Sequence, residues 1–219
     1  MTELAANLAQ MPIIAVLRGV GPEQVVPIAE TLVESGIRVV EVPLTSPESY
    51  ESLKLLIAAV PSDVLVGCGT ITTTEQIDRA RDMGARLIVS PHADPDLVVY
   101  ATRHGLASFP GFATPTEALS MVKHGASALK YFPAKSLGAL GLKEVRVILP
   151  QTMLVAAFGG ISALNMHEFW QAGAGAFGVG SSIYRRGWTA NQVRKAVLPV
   201  VEAARQFAIP QRLEKKTAS

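Results

Sequence analysis

Lys130 lies in the run SALKYFPA, residues 127–134, with Leu129 before it and Tyr131 and Phe132 after it. A lysine among apolar neighbours either lays its stem along a hydrophobic rim and reaches for water or holds its amine out of water for chemistry. The second use is nucleophilic, because a neutral amine attacks a carbonyl carbon. At the reference lysine pKa near 10.4, only about one amine in a thousand is neutral at neutral pH. Desolvation by Tyr131, Phe132 and Phe109, and repulsion from a cation such as Arg18, would raise that fraction. An ionised Glu41 would oppose both. Glu41, in VEVPLTSP, is the matching acid: either a structural counter-ion or a group that moves protons. Arg18, in LRGV, is a rim residue tying down a loop or a site for an anion. Three charges sharing one small cavity are hard to explain by stability, since desolvation offsets the attraction of buried ion pairs.

These residues need a scaffold that brings them together. One unit recurs along the chain: a helical pattern ends in Gly, and an apolar run rich in β-branched residues begins within two residues. The glycines are Gly36, Gly84, Gly105, Gly125 and Gly173, and Pro61 and Pro150 mark two further joints. With the run IIAVLRG in front, the count is eight strands, at roughly 13–19, 38–44, 64–70, 86–91, 106–112, 128–134, 154–160 and 175–181. The runs are apolar rather than alternating, as in parallel strands buried on both faces. Helical stripes lie between them, such as Val25, Ile28, Ala29, Leu32 and Val33. This pattern predicts an α/β fold, a (β/α)8 TIM barrel, as a single domain over residues 1–219. The barrel is expected over about 11–206, after an N-terminal helical segment, with a frayed tail over about 210–219. An open doubly wound sheet is the structural rival, but the first turn, RGVGPEQ, lacks G-x-G-x-x-G.

Barrel sites lie at the C-terminal ends of strands. There the sequence places Arg18, Glu41, Thr70, the trio Ser90, Pro91 and His92, Lys130, the pair Gly159–Gly160, and GVGSS with Gly180 and Ser181. Strand parity turns Lys130 to the side of Ala128 and Phe132, and Glu41 to the side of Val39 and Pro43. Glycines at the last two strand ends are the usual barrel cradle for phosphate. The four histidines are scattered, so no metal site is expected. His104 and His124 precede helix-ending glycines, where an imidazole satisfies the last carbonyls.

The 219 residues are 49% apolar and 17% charged, with a formal charge of +2. That supports a sizeable core, and the near-neutral charge gives no sign of a nucleic-acid surface. No run reaches membrane-spanning length, and the N-terminus is not expected to be a secretory signal. Cys68 alone leaves no internal disulfide and fits a reducing cytoplasm.

The segments LRGV, GIRVVEVPLTSPES, VGCGTI, VSPH, FPGFATPTEA, GASALKYFPA and FGGIS resemble the class I aldolases of 2-keto-3-deoxy-6-phosphogluconate (KDPG) and 2-keto-3-deoxy-6-phosphogalactonate (KDPGal). The resemblance runs from about residue 11 to 206. It implies a homotrimeric (β/α)8 barrel, without cofactor or metal, that cleaves a phosphorylated 2-keto-3-deoxy sugar acid to pyruvate and glyceraldehyde 3-phosphate. It implies Lys130 as the Schiff-base lysine and Glu41 as general acid/base. Arg18 and Thr70 then hold the carboxylate end, and Gly159, Gly160, Gly180 and Ser181 the phosphate. Pro91, Phe132 and Phe158 complete the implied substrate contacts. EVPLTSP resembles the galactonate type through Pro43, with Thr45 where that type usually has Asn. Phe158 stands where the gluconate type has Thr and the galactonate type is apolar. The galactonate substrate is favoured; the gluconate epimer, or both, is the alternative. A phosphosugar epimerase or isomerase, or a barrel that only binds phosphosugars, are the remoter readings.

Overall fold

The structure is a computed structural model that describes residues 2–207. The expected tail over 210–219 lies outside the described residues. Among the described residues nine strands run parallel: β1 (Ile13–Val16), β2 (Val39–Pro43), β3 (Leu65–Gly69), β4 (Leu87–Val89), β5 (Ala107–Phe109), β6 (Gly111–Phe112), β7 (Leu129–Tyr131), β8 (Val155–Phe158) and β9 (Ala176–Val179). They hydrogen-bond in the order β5-β4-β3-β2-β1-β9-β8-β7-β6. β5 and β6 are the two halves of one expected strand, so the order is that of an eight-stranded (β/α)8 TIM barrel forming a single domain. The break falls at Pro110, which has no N–H to give to a ladder. Its carbonyl still accepts from the Lys130 N–H at 2.9 Å, and Ser90 N–H reaches Phe109 O at 3.2 Å. The ring therefore closes across the break. The other strands are shorter than their apolar runs; β1 stops two residues before Arg18.

Helices alternate with the strands: α1 (Glu3–Gln10), α2 (Pro22–Glu34), α3 (Ser49–Ala59), α4 (Thr74–Asp82), α5 (Pro95–Arg103), α6 (Pro115–Lys123), α7 (Ala134–Arg146), α8 (Met166–Gln171) and α9 (Ala190–Ala204). Their ends follow local chemistry. Thr73, Thr114 and Thr189 each close a capping box on a residue three places on. All five helix-ending glycines have positive φ. His104 and His124 donate from Nδ1 to the carbonyls of Tyr100 and Ser120, each at 2.8 Å.

Two apolar clusters separate by strand parity. The larger packs the outer faces of the strands against the helices. The smaller fills the lumen with residues such as Ile14, Val39, Leu87, Ala128, Ala156 and Ala176, and includes Leu4 and Leu8 of α1. Those two leucines floor the barrel at its N-terminal end. Asn7 between them donates to the carbonyl of Asp63 at 3.0 Å, just ahead of β3. With the floor plugged, the cavity among the described residues lies where the strands end, at Arg18, Glu41 and Lys130. No helix among the described residues is long and apolar enough to cross a membrane.

Candidate active site

Lys130 is the central residue of β7 and Glu41 of β2, and both turn into the lumen as parity requires. Lys130 is 6% exposed and Glu41 2%. They share a cavity of about 350 Å³ with Val16 and Arg18 on one side and Phe132 and Phe158 on the other. The Phe132 and Phe158 rings face the Lys130 Nζ, with centroids at 5.0 and 4.7 Å. Phe158 meets Phe109 edge-on at 5.5 Å. Its ring occupies the space where a side chain on Gly178 would stand.

The acid and the amine do not form a contact ion pair: among the described residues no Lys130 nitrogen lies within 4.0 Å of a carboxylate oxygen. Glu41 Oε2 is buried without a hydrogen-bond partner. Burial pushes the Lys130 pKa below its ordinary value; the Glu41 carboxylate opposes this and Arg18 reinforces it. Burial pushes the Glu41 pKa up, against the pull of Lys130 and Arg18. Both groups are therefore driven toward their uncharged forms, and desolvation outweighs their mutual attraction. An amine whose proton is loosened beside a carboxyl whose proton is held more firmly has the chemistry a nucleophile and a proton shuttle need.

Arg18 is exposed at the mouth, where its Nη1 donates to Thr45 Oγ1 at 2.7 Å. The turn behind it is clasped to the turn after β2. Gly19 N–H donates to Ser46 Oγ at 2.9 Å, and that hydroxyl reaches Leu17 O at 3.3 Å. Across the cavity, Gly159 and Gly160 both have positive φ and line the wall with Ile161, Gly180 and Ser181. Asn165 holds this turn by donating to Gly160 O at 2.9 Å and accepting from Ser162 N–H at 2.8 Å. Ser182 joins the two glycine turns through a 2.8 Å bond to Ile161 O. The result is a fixed backbone cradle suited to an anion.

The structure thus brings Lys130, Glu41, Arg18, Phe132, Phe158, Gly159, Gly160, Gly180 and Ser181 to one cavity. Thr70 and Pro91 are not part of it. Both follow strands at the same rim, but a side chain on Gly111 would strike the Pro91 carbonyl, so β6 covers that flank. Thr70 holds a left-handed backbone, φ 60°, which is strained for a β-branched residue and typical of functional rims. His92 faces outward beside Asp94, 3.7 Å away. Sequence reasoning missed Tyr184 and Arg185, which line the cavity beyond Ser181. The signal was available: a cation four residues past Ser181 of the G-S-S turn. Arg185 Nε donates to Ser181 O at 3.4 Å.

The KDPG and KHG aldolase family model matches residues 4–200. The chain is 39% identical over 194 residues to the probable 2-dehydro-3-deoxy-6-phosphogalactonate aldolase of Rhizobium meliloti (strain 1021), covering 89% of this chain and 92% of that protein. It superposes on a solved native KDPGal structure with a TM-score of 0.88 at 33% identity, covering 90% of this chain and 96% of that one. A KDPG aldolase from Legionella pneumophila, solved with pyruvate captured at low pH as a covalent carbinolamine intermediate, is 28% identical with a TM-score of 0.82, covering 92% and 98%.

Competitive acetylation with trace acetic anhydride, read by peptide mass spectrometry, is expected to give Lys130 a titration midpoint below 10.5, the ordinary lysine value. The sign follows from the neighbours: Glu41→Gln should lower the midpoint further, and Arg18→Ala should raise it. A Lys130 that titrates like the surface lysines would contradict the electrostatic reading.

Proposed function

The chain belongs to the KDPG and KHG aldolase family, and on that premise we propose that it is a Schiff-base (class I) aldolase cleaving 2-dehydro-3-deoxy-6-phosphogalactonate to pyruvate and D-glyceraldehyde 3-phosphate. One observation carries the reading. A desolvated lysine amine and a desolvated carboxyl line a single cavity that opens only at the barrel mouth.

Neutral Lys130 attacks the C2 ketone of the substrate. Glu41 supplies and removes the protons as the carbinolamine loses water to give an iminium. The iminium draws electrons from the C3–C4 bond while Glu41 takes the proton of the C4 hydroxyl, and the aldehyde product departs. The remaining enamine is protonated at C3, and water releases pyruvate from the amine. Each proton move needs a carboxyl that changes charge readily, which the raised pKa of Glu41 provides.

Arg18 receives the substrate carboxylate at the mouth, held in place by Thr45. The backbone amides of the two glycine turns, with Ser181 and Arg185, receive the phosphate at the other end. Binding at both remote ends orients the bond that breaks. Thr70 and Pro91 would act at the carboxylate end only by coming closer when substrate binds. Phe158 offers no hydroxyl to the sugar C4 group, which favours the galactonate epimer, as does the name of the 39% identical relative. The reading carries with it a homotrimer acting in the cytoplasm.

Incubation with pyruvate and borohydride is expected to add a reduced pyruvate to Lys130 and to no other lysine. No adduct, as an epimerase, an isomerase or a pure binding barrel would give, or an adduct elsewhere, removes the assignment. Side-by-side cleavage of the two C4-epimeric substrates is expected to give the larger kcat/KM for the galactonate epimer. A clear preference for the gluconate epimer would overturn the substrate reading.

A further inference from the structure

The Glu41 carboxyl lies over Gly69, two residues beyond its register partner Gly67 on the neighbouring strand. A side-chain carbon built on Gly69 would stand 2.5 Å from Glu41 Oε2, 2.9 Å from Cδ and 3.3 Å from Oε1. Those three atoms are the nearest that it would meet, and all belong to that one carboxyl. The φ of Gly69 is not in the positive range, so its backbone does not itself demand glycine. The room left by the missing side chain is taken first by Glu41.

The need for this room is plain from the other contacts of the acid. Glu41 Oε2 is buried and has no hydrogen-bond partner, and no ion pair fixes it to Lys130. A carboxyl that no donor holds is located by shape. β3 turns Leu65, Gly67 and Gly69 into the lumen, alternating with Val66 and Cys68 on the outer face. The space at Gly67 is taken by Leu87 and that at Gly69 by Glu41. The second glycine of VGCGT thus makes a notch in the lumen wall, and the notch holds the carboxyl at the height where it faces the lysine.

We propose that Gly69 is a positioning residue for the reaction: its missing side chain forms the notch that sets where the Glu41 carboxyl stands relative to the Lys130 amine. Gly69 touches no reacting atom in this account. The proposal rests on the reading of Glu41 as the proton shuttle, and the test separates the two.

The experiment is a mutant cycle on the full chain, with Gly69→Ala, Glu41→Asp, Glu41→Gln and the doubles Gly69→Ala with each, read by kcat, KM and thermal melting. Displacement of a reacting group by about 1 Å costs up to about 10²-fold, so Gly69→Ala alone should lower kcat by about that factor with KM little changed. The same alanine should cost less than about twofold on the Glu41→Asp or Glu41→Gln background, where the shortened or already inactive acid no longer depends on the notch. Melting should follow suit: destabilisation by Gly69→Ala should be largely relieved when Glu41 is Asp. If Gly69→Ala alone fails to fold, recovery of a folded protein by Gly69→Ala with Glu41→Asp supports the notch; failure of both to fold overturns it. Equal losses from the alanine on every background also overturn it, because the role is then structural only. Near-normal turnover by Glu41→Gln removes the shuttle reading itself, and the proposal with it.

Discussion

An amine carried into an apolar cylinder loses its water, and the architecture of this site follows from that loss. In bulk solvent Lys130 would be an ordinary ammonium. Within the lumen burial disfavours its charge and no carboxylate meets it at contact distance, so its pKa falls below the ordinary lysine value. The same reasoning applied to Glu41 favours its protonated form. Had the two groups met at contact distance, attraction could have locked them as an ion pair. They are held apart, as the proposed roles of amine nucleophile and proton shuttle require.

The barrel produces this arrangement by where it places bulk and where it omits it. α1 plugs the lower end with Leu4 and Leu8, and small residues surround the lysine in the lumen: Ala128 two places before it, its register partner Ala156 on β8, and Ala176 beside that on β9. The large groups sit in spaces that glycines leave open: Phe158 at Gly178 and Glu41 at Gly69. The loops that would otherwise drift are clasped in pairs, Ser46 to the turn after β1 and Ser182 to the turn after β8. The clasped turns frame one cavity, with Lys130 and Glu41 on its walls and the cations Arg18 and Arg185 also lining it.

Much of this is readable along the chain because it is local. Gly36, Gly84, Gly105, Gly125 and Gly173 announce helix ends by needing positive φ, and all five have it. Parity alone turns Lys130 with Ala128, and Glu41 with Val39, to one side, and the lumen cluster contains Ala128 and Val39. What escaped is set across strands. Pro110 reads as part of an apolar run, yet its lack of an N–H splits the fifth strand. Arg185 enters the wall only because the turn after β9 folds back over the mouth. Thr70 and Pro91 stand at strand ends as expected, but Gly111 brings backbone over the Pro91 flank and takes it out of the cavity wall. The notch at Gly69 is visible only once β2 and β3 are in register.

The protonation state of Lys130 is the point on which the account turns, and a joint neutron and X-ray structure of crystals grown at neutral pH observes it directly. The account predicts two hydrogens on Nζ. Three hydrogens on Nζ opposite a bare Glu41 carboxylate would contradict it, because the site would then be an ordinary buried pair of opposite charges.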